Sequence, residues 1–284
     1  MSEDSVWRLV KKEAERLDTE QTEEITLTAS LPEPTFIAPE DIYNPDTKEF
    51  IVMVDGIGVK AQKPTRERAG EAKKPKPEKR HETDVLILPR PDGTEQIICE
   101  GTSRRWSLVD ATRAYLRRAW SGATLQVVAI TDGAKCIRVD LAAIFGQGVR
   151  VILDWYHLDK RVYSLLSMAA HSMKEREEWE KQVDAFLWRG QVEQARNFLL
   201  SLSPSNKTAM KDLVTYLDKH EVEIIDYERR QKAGKDIGSG RMEKAVDQVV
   251  GKRQKGNGMS WTQIGTRALA LLKVAELNSR MLPA

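Results

Sequence analysis

Cysteine is scarce. Only Cys99 and Cys136 occur in 284 residues, far apart and without Cys-x-x-Cys spacing. That argues against a disulfide framework or a cysteine-built zinc site, and makes a reducing cytosol the expected compartment. Histidine numbers four, and His81, His171 and His220 have no companion at ligand spacing. No apolar run approaches the roughly 18 residues of a membrane span. The start, MSEDSVWRLVKKEAERLDTEQTEE, has no apolar stretch of the secretory kind. No glycine-rich phosphate loop follows any apolar run, which counts against a nucleotide-binding small-molecule enzyme. No internal repeat is present.

What the chain does have is charge, 31% of its residues, beside a 40% apolar share that supports a globular core. The net charge of +2 is unevenly spread. Residues 1–50 hold five Lys/Arg against thirteen Asp/Glu. Residues 60–81 hold nine against three, and residues 229–267 ten against three. Two basic blocks in a nearly neutral chain suit a polyanionic partner; solvated loops and a helix face are the plainer alternative.

The first 25 or so residues read as a charged helix with Val6, Leu9 and Val10 as a thin apolar stripe. A proline-bearing linker occupies 30–49. Residues 60–81, rich in Pro, Lys and Glu, read as a loop. Three continuous apolar runs, FIVMVDG (50–56), TLQVVAITDG (124–133) and VRVILDWYH (149–157), read as buried strands that end at Asp55, Asp132 and Asp154. DVLILP (84–89) and EQIICEG (95–101) read as antiparallel strands joined at Pro91-Asp92-Gly93. From Leu158 to Arg230 the pattern is helical throughout. An apolar stripe of Met242, Val246, Val249 and Val250 marks a helix over 239–252, and a last apolar helix follows. The organisation is therefore an acidic N-terminal helix and linker (1–49), an α/β core (50–157), an all-α insertion (158–230), and a return helix with a C-terminal helix (231–284).

Ligands of open α/β sheets sit outside the carboxyl ends of the strands. Three aspartates at such ends would converge, repel one another, and suit Mg2+ or Mn2+. Each Asp-Gly pair alone is better explained as a turn. His157, three residues after Asp154, is on spacing alone a histidine at a strand-to-helix corner. Trp261 is a core residue or a base-stacking one, with the core the commoner fate.

The segments VDGIGV, ITDGAK, VILDWYHL, LWRGQVEQA, LVTYL, DYERRQKAGKDIGSGRMEKAV and GKRQKGNGMSW, in this order from Phe50 to the C-terminus, resemble the ISKra-type insertion-sequence transposases, relatives of the Mutator-like DDE group. The resemblance implies a ribonuclease H-like α/β fold, a mixed sheet flanked by helices with an all-α insertion before the last catalytic helix. It implies a catalytic, metal-binding triad of Asp55, Asp132 and Glu243 holding two divalent ions, Mg2+ or Mn2+. Asp154 and His157 match the element that opens the insertion and would support the site. Lys252, Arg253 and Lys255 would bind DNA. The implied activity is metal-dependent strand cleavage followed by strand transfer. The partners would be element ends and target DNA in a homo-oligomeric complex on the nucleoid, with no membrane.

The chain departs from the pattern in three places. Arg241 stands where a small residue is expected, Lys244 adjoins the glutamate, and only an acidic segment precedes the first core strand. A truncated copy, or a catalytic domain with a separately encoded DNA-binding domain, would account for the last. A non-catalytic DNA-binding remnant and a metal-dependent nuclease are the alternative functions. On the return helix, Asp247 lies one turn past Glu243 and is its rival carboxylate.

Overall fold

A computed structural model describes residues 3–63, 79–102 and 105–280. The basic proline-rich segment falls mostly outside them. The centre is an open, mixed sheet of six strands flanked by helices. The strands are β1 (Thr35–Ile37), β2 (Phe50–Lys60), β3 (Arg80–Pro89), β4 (Glu95–Cys99), β5 (Thr124–Thr131) and β6 (Arg150–Leu153). β2, β3 and β4 form an antiparallel meander, while β5 lies parallel to β2 on its other side. β1 and β6 both pair parallel with β5, β1 beside its start and β6 beside its end. The middle of the sheet is apolar on both faces: Val52, Val54, Val85, Leu86, Val127, Val128, Ala129, Ile130 and Ile152 are buried. Both-faced burial explains why these strands read as continuous apolar runs rather than alternating ones.

The helices are α1 (Glu3–Thr28), α2 (Leu108–Trp120), α3 (Lys135–Phe145), α4 (Trp155–Ala169), α5 (Met173–Leu187), α6 (Val192–Ser201), α7 (Lys207–His220), α8 (Tyr227–Lys232), α9 (Gly240–Val246), α10 (Lys252–Gln254) and α11 (Gln263–Arg280). A π-helical turn, Asp247–Gly251, joins α9 to α10. Helices α4 to α8 follow one another without a strand, and α4 packs on α5 and α7. α11 lies along β4, where the Asn278 side-chain amide donates to Ile97 O and its oxygen accepts from Ile97 N. Those two bonds occupy backbone groups that an edge strand would otherwise leave open. No helix among the described residues is long and apolar enough to cross a membrane.

Three expectations change. β2 does not end at Asp55 but runs five residues further, because β3 keeps pairing with it from Asp55–Val85 out to Lys60–Arg80. A three-residue strand, β1, sits inside the expected linker; flanked by Pro34 and Pro39, it is too short for an apolar pattern to show. In α1, Val6 and Leu9 are about half exposed. The buried residues on α1 are instead Ala14, Asp18 and Thr28, and the helix packs on α2 and α11.

The chain before β2 is tied to the segment after α8 by a buried ionic knot. Arg230 is fully buried and donates to Glu49, to Ile42 O and to Asp236 O. Lys235 Nζ reaches the same carboxylate at 2.8 Å. A buried guanidinium left without its carboxylate has no other countercharge here. Glu49→Ala should therefore cost about 3–5 kcal/mol in urea unfolding, whereas Glu49→Gln, which keeps the acceptor oxygen, should cost less.

Candidate functional site

The sheet register brings the site together. Val54 of β2 pairs with Thr131 of β5, and Thr131 pairs with Leu153 of β6. The next residue in each of these parallel strands is Asp55, Asp132 or Asp154. The three aspartates therefore stand side by side at the carboxyl end of the parallel part of the sheet, although only β5 and β6 stop there.

Their side chains then do different things. Asp154 is buried and caps α4: its Oδ1 accepts from His157 N at 3.0 Å. Its Oδ2 accepts from the backbone and the hydroxyl of Ser239. Burial pushes its pKa up, but these bonds and the neighbouring His157 outweigh burial and hold it below the usual carboxylate value. Both oxygens are committed, so Asp154 is a structural clamp. It joins the start of the helical insertion to the Gly238-Ser239-Gly240 turn that opens α9. Trp155 N, donating to Ile237 O, reinforces the join.

Asp132 is shaped by its own turn. Its Oδ1 accepts from Ala134 N at 2.8 Å, and Gly133 follows with φ of +80°, a conformation that favours glycine. A Cβ on Gly133 would also lie 2.2 Å from Cε1 of His220, whose buried ring fills the space above it. His220 Nδ1 is 2.7 Å from Glu223 Oε2, and Arg138 reaches both residues. The end of α7 and the loop after it thus buttress the turn that carries Asp132.

Asp55 keeps one oxygen on Gly56 N at 2.8 Å and is partly buried. Its pKa is raised, by burial first and then by the negative charge of Asp132; Glu243 adds to the rise, while His157 opposes it. Three residues from three further segments thus act electrostatically on Asp55 of β2: Asp132 after β5, His157 on α4 and, least of the three, the exposed Glu243 on α9. Asp247, exposed like Glu243, is not among the main influences on Asp55 and has Lys252 Nζ 3.6 Å away. α9 docks on β2 and β3 through Met242, Ala245 and Val246, all buried.

His157 has a buried Nδ1 without a hydrogen-bond partner, 3.6 Å from Asp154 Oδ1. Asp154 first, then Asp55 and Asp132, raise its pKa against the opposing effect of burial. The surrounding carboxylates therefore favour the protonated form of the imidazole.

As donors, the oxygens of Asp55, Asp132 and Glu243 suit a hard divalent cation, and the mutual repulsion felt at Asp55 is what such an ion would relieve. Their spacing is open. Among the described residues, the group with ligand atoms all within 4.8 Å of one another is Asp159, Glu180 and Asp184, on α4 and α5. In that group burial, then Asp159 and Glu180, push Asp184 up to about 7, and Glu180 is already paired with Arg176.

The expected DNA contacts Lys252, Arg253 and Lys255 are all exposed on and just beyond α10. Arg241, where a small residue was expected, is half exposed and paired with Glu95 and Asp236. Lys244 is exposed. Trp261 packs against the core, its Nε1 donating to Gln254 O and its ring edge-on to Trp7 at 6.3 Å. Ser239, His220 and Glu223 emerged only from the fold. The sequence places them in a turn and a helix end but shows no partner for them.

Two stability measurements test this geometry. A carboxylate with a raised folded pKa costs stability once ionised, so Asp55→Asn should raise the melting temperature at pH 7. The gain should shrink as pH falls toward the ordinary carboxylate range and vanish near pH ~3. Asp154→Ala should do the opposite and cost about 1.5–3 kcal/mol at pH 7, as loss of hydrogen bonds to a charged group does. Because its folded pKa is depressed, that loss should persist down through the unfolded value and fade only below it. Hydrogen exchange at 237–240 should speed up in the same variant.

No protein-family model matches the chain and no curated protein matches it, so the assignment of this cleft rests on its residues.

Proposed function

We infer that the chain is a metal-dependent DNA phosphoryl-transfer enzyme, a DDE transposase of the ISKra type built on a ribonuclease H-like core. One observation supports the reading: Asp55 and Asp132 stand side by side at the carboxyl end of the parallel strands, and Glu243 on α9 is near enough to act on Asp55. The open mixed sheet flanked by helices is compatible with that fold, and the helical block between β6 and α9 sits where the resemblance implies an insertion.

In this reading Asp55, Asp132 and Glu243 would hold Mg2+ or Mn2+ through carboxylate oxygens. When bound, such ions activate the attacking water or DNA 3′-hydroxyl and stabilise the leaving oxygen. The remaining work belongs to the chain. The Asp132 turn, buttressed by His220, keeps its carboxylate in place. Asp154 fixes the start of α9 and so the approach of Glu243. His157 supplies positive charge beside a phosphate that brings more negative charge in. Lys252, Arg253 and Lys255 would contact backbone phosphates, which position DNA without reading its sequence.

A second reading is DNA binding without cleavage. It is favoured by the open spacing of the three carboxylates, which are not gathered within 4.8 Å.

Incubation with DNA carrying the element ends in Mg2+ or Mn2+ separates the two. Nicking by the wild type should fall by about 10²–10³ or more in Asp55→Asn, Asp132→Asn and Glu243→Gln, with DNA binding kept. Asp247→Asn should cleave as the wild type does. Salt-sensitive binding with no cleavage in either metal would select the second reading. Cleavage without joining to target DNA would indicate a nuclease.

A further inference from the structure

The arginines of the helical block are almost all neutralised. Arg176, Arg189, Arg196, Arg229 and Arg230 each have a carboxylate within ion-pair distance. Arg161 has none among the described residues. It is exposed on α4, one turn after His157 and so on nearly the same helix face. Its guanidinium lies instead over the ring of Tyr216 on α7, 5.8 Å from the centroid.

Tyr216 connects this cation to the cleft. Its ring is 4.5 Å from that of His220, and His220 fills the space above Gly133, next to Asp132. The ladder Arg161–Tyr216–His220–Gly133–Asp132 is made of direct contacts and neighbouring residues. At its far end is an unneutralised guanidinium; at its near end, an anionic cleft. A guanidinium held by an aromatic face rather than by a carboxylate keeps its full charge and its fork of donors while losing side-chain freedom. That combination suits a diester phosphate, which the fork can grip with two hydrogen bonds.

The geometry points to Arg161 as a phosphate-binding residue for the nucleic-acid strand that enters the carboxylate cleft. The inference rests on the functional reading above and adds a residue that neither the basic blocks nor the resemblance singles out. It gives α4 two roles: its first turn takes part in the clamp, and its second holds the substrate backbone beside the site.

The test is the salt dependence of DNA binding by the full chain, read by fluorescence anisotropy in EDTA so that no strand is cut. Arg161→Gln should lower affinity and make the slope of log K against log salt shallower by about 0.9 for a duplex, or about 0.7 for a single strand. Arg161→Lys should keep the slope but bind less tightly, having charge without the fork. Lys181→Ala, an exposed residue on α5, should leave both unchanged. A set of oligonucleotides with one neutral methylphosphonate each should then show one position that weakens the wild type and has no further effect on Arg161→Gln. An unchanged slope in Arg161→Gln, or the same position-dependence in both proteins, would overturn the assignment. Failure of the functional reading looks different: the wild type itself would bind no DNA at any salt.

Discussion

The clamp made by Asp154 is the contact on which the site's geometry depends. The chain leaves the sheet after β6, builds five helices, and returns some 85 residues later at Ser239. One carboxylate spans that gap: it caps the helix by which the insertion departs and accepts from the turn by which it comes back. Loop-closure entropy grows slowly with length, so a long excursion is tolerable provided its ends are pinned. Here the pin is buried and charge-assisted, and it sits next in register to Asp132 and Asp55. Any shift of the clamp would move α9, and with it Glu243, relative to the two strand carboxylates.

Beside the clamp, one carboxylate is held against its charged form. Asp55 is raised by burial and by Asp132, and Glu243 adds to the same repulsion. The Gly56 backbone N–H and, less strongly, His157 offset it, and the His157 Nδ1 has no hydrogen-bond partner. A fold selected for stability alone would not gather carboxylates at the one end of the sheet where three strands present them together. A perturbed carboxylate among other titratable groups is common at functional sites and also occurs in structural ion networks. The insertion adds an observation from the other side: five of its six arginines are paired with carboxylates, and Arg161, over the ring of Tyr216, has none among the described residues.

Much of this was legible in the sequence, for reasons that can be located. The buried strands announced themselves as continuous apolar runs because both faces of the sheet are covered. The resemblance singled out Glu243 because its motif follows a helical block. Other features were not legible. The end of β2 was misplaced because an Asp-Gly pair looks like a turn, whereas β3 keeps the strand extended beyond it. The apolar stripe of α1 was misread because its buried face includes Asp18 and Thr28, polar residues that periodicity discounts. Asp154 is structural in the fold, but its partner Ser239 is a contact between distant segments, and no local pattern encodes it. The support of Asp132 by His220 is hidden in the same way, since a glycine with positive φ reads as a turn whether or not a ring lies above it.

The choice between Glu243 and Asp247 shows how a local irregularity bears on what periodicity leaves open. In an unbroken α-helix the two are one turn apart on one face, and either could meet the strand aspartates. The helix is broken at Asp247, where a π-helical turn begins. Residues before it, Met242 to Val246, dock on β2 and β3; residues within it, Val249 and Val250, are buried and the turn packs on α11. The wider turn changes the phase of the side chains. Glu243, itself exposed, belongs to the segment that docks on the sheet, whereas the exposed Asp247 belongs to the turn that packs on α11, and its carboxylate lies against Gly251 and near Lys252. One apolar stripe thus serves two docking surfaces. Of the two carboxylates, Glu243, on the sheet side of the break, is the one among the main influences on Asp55.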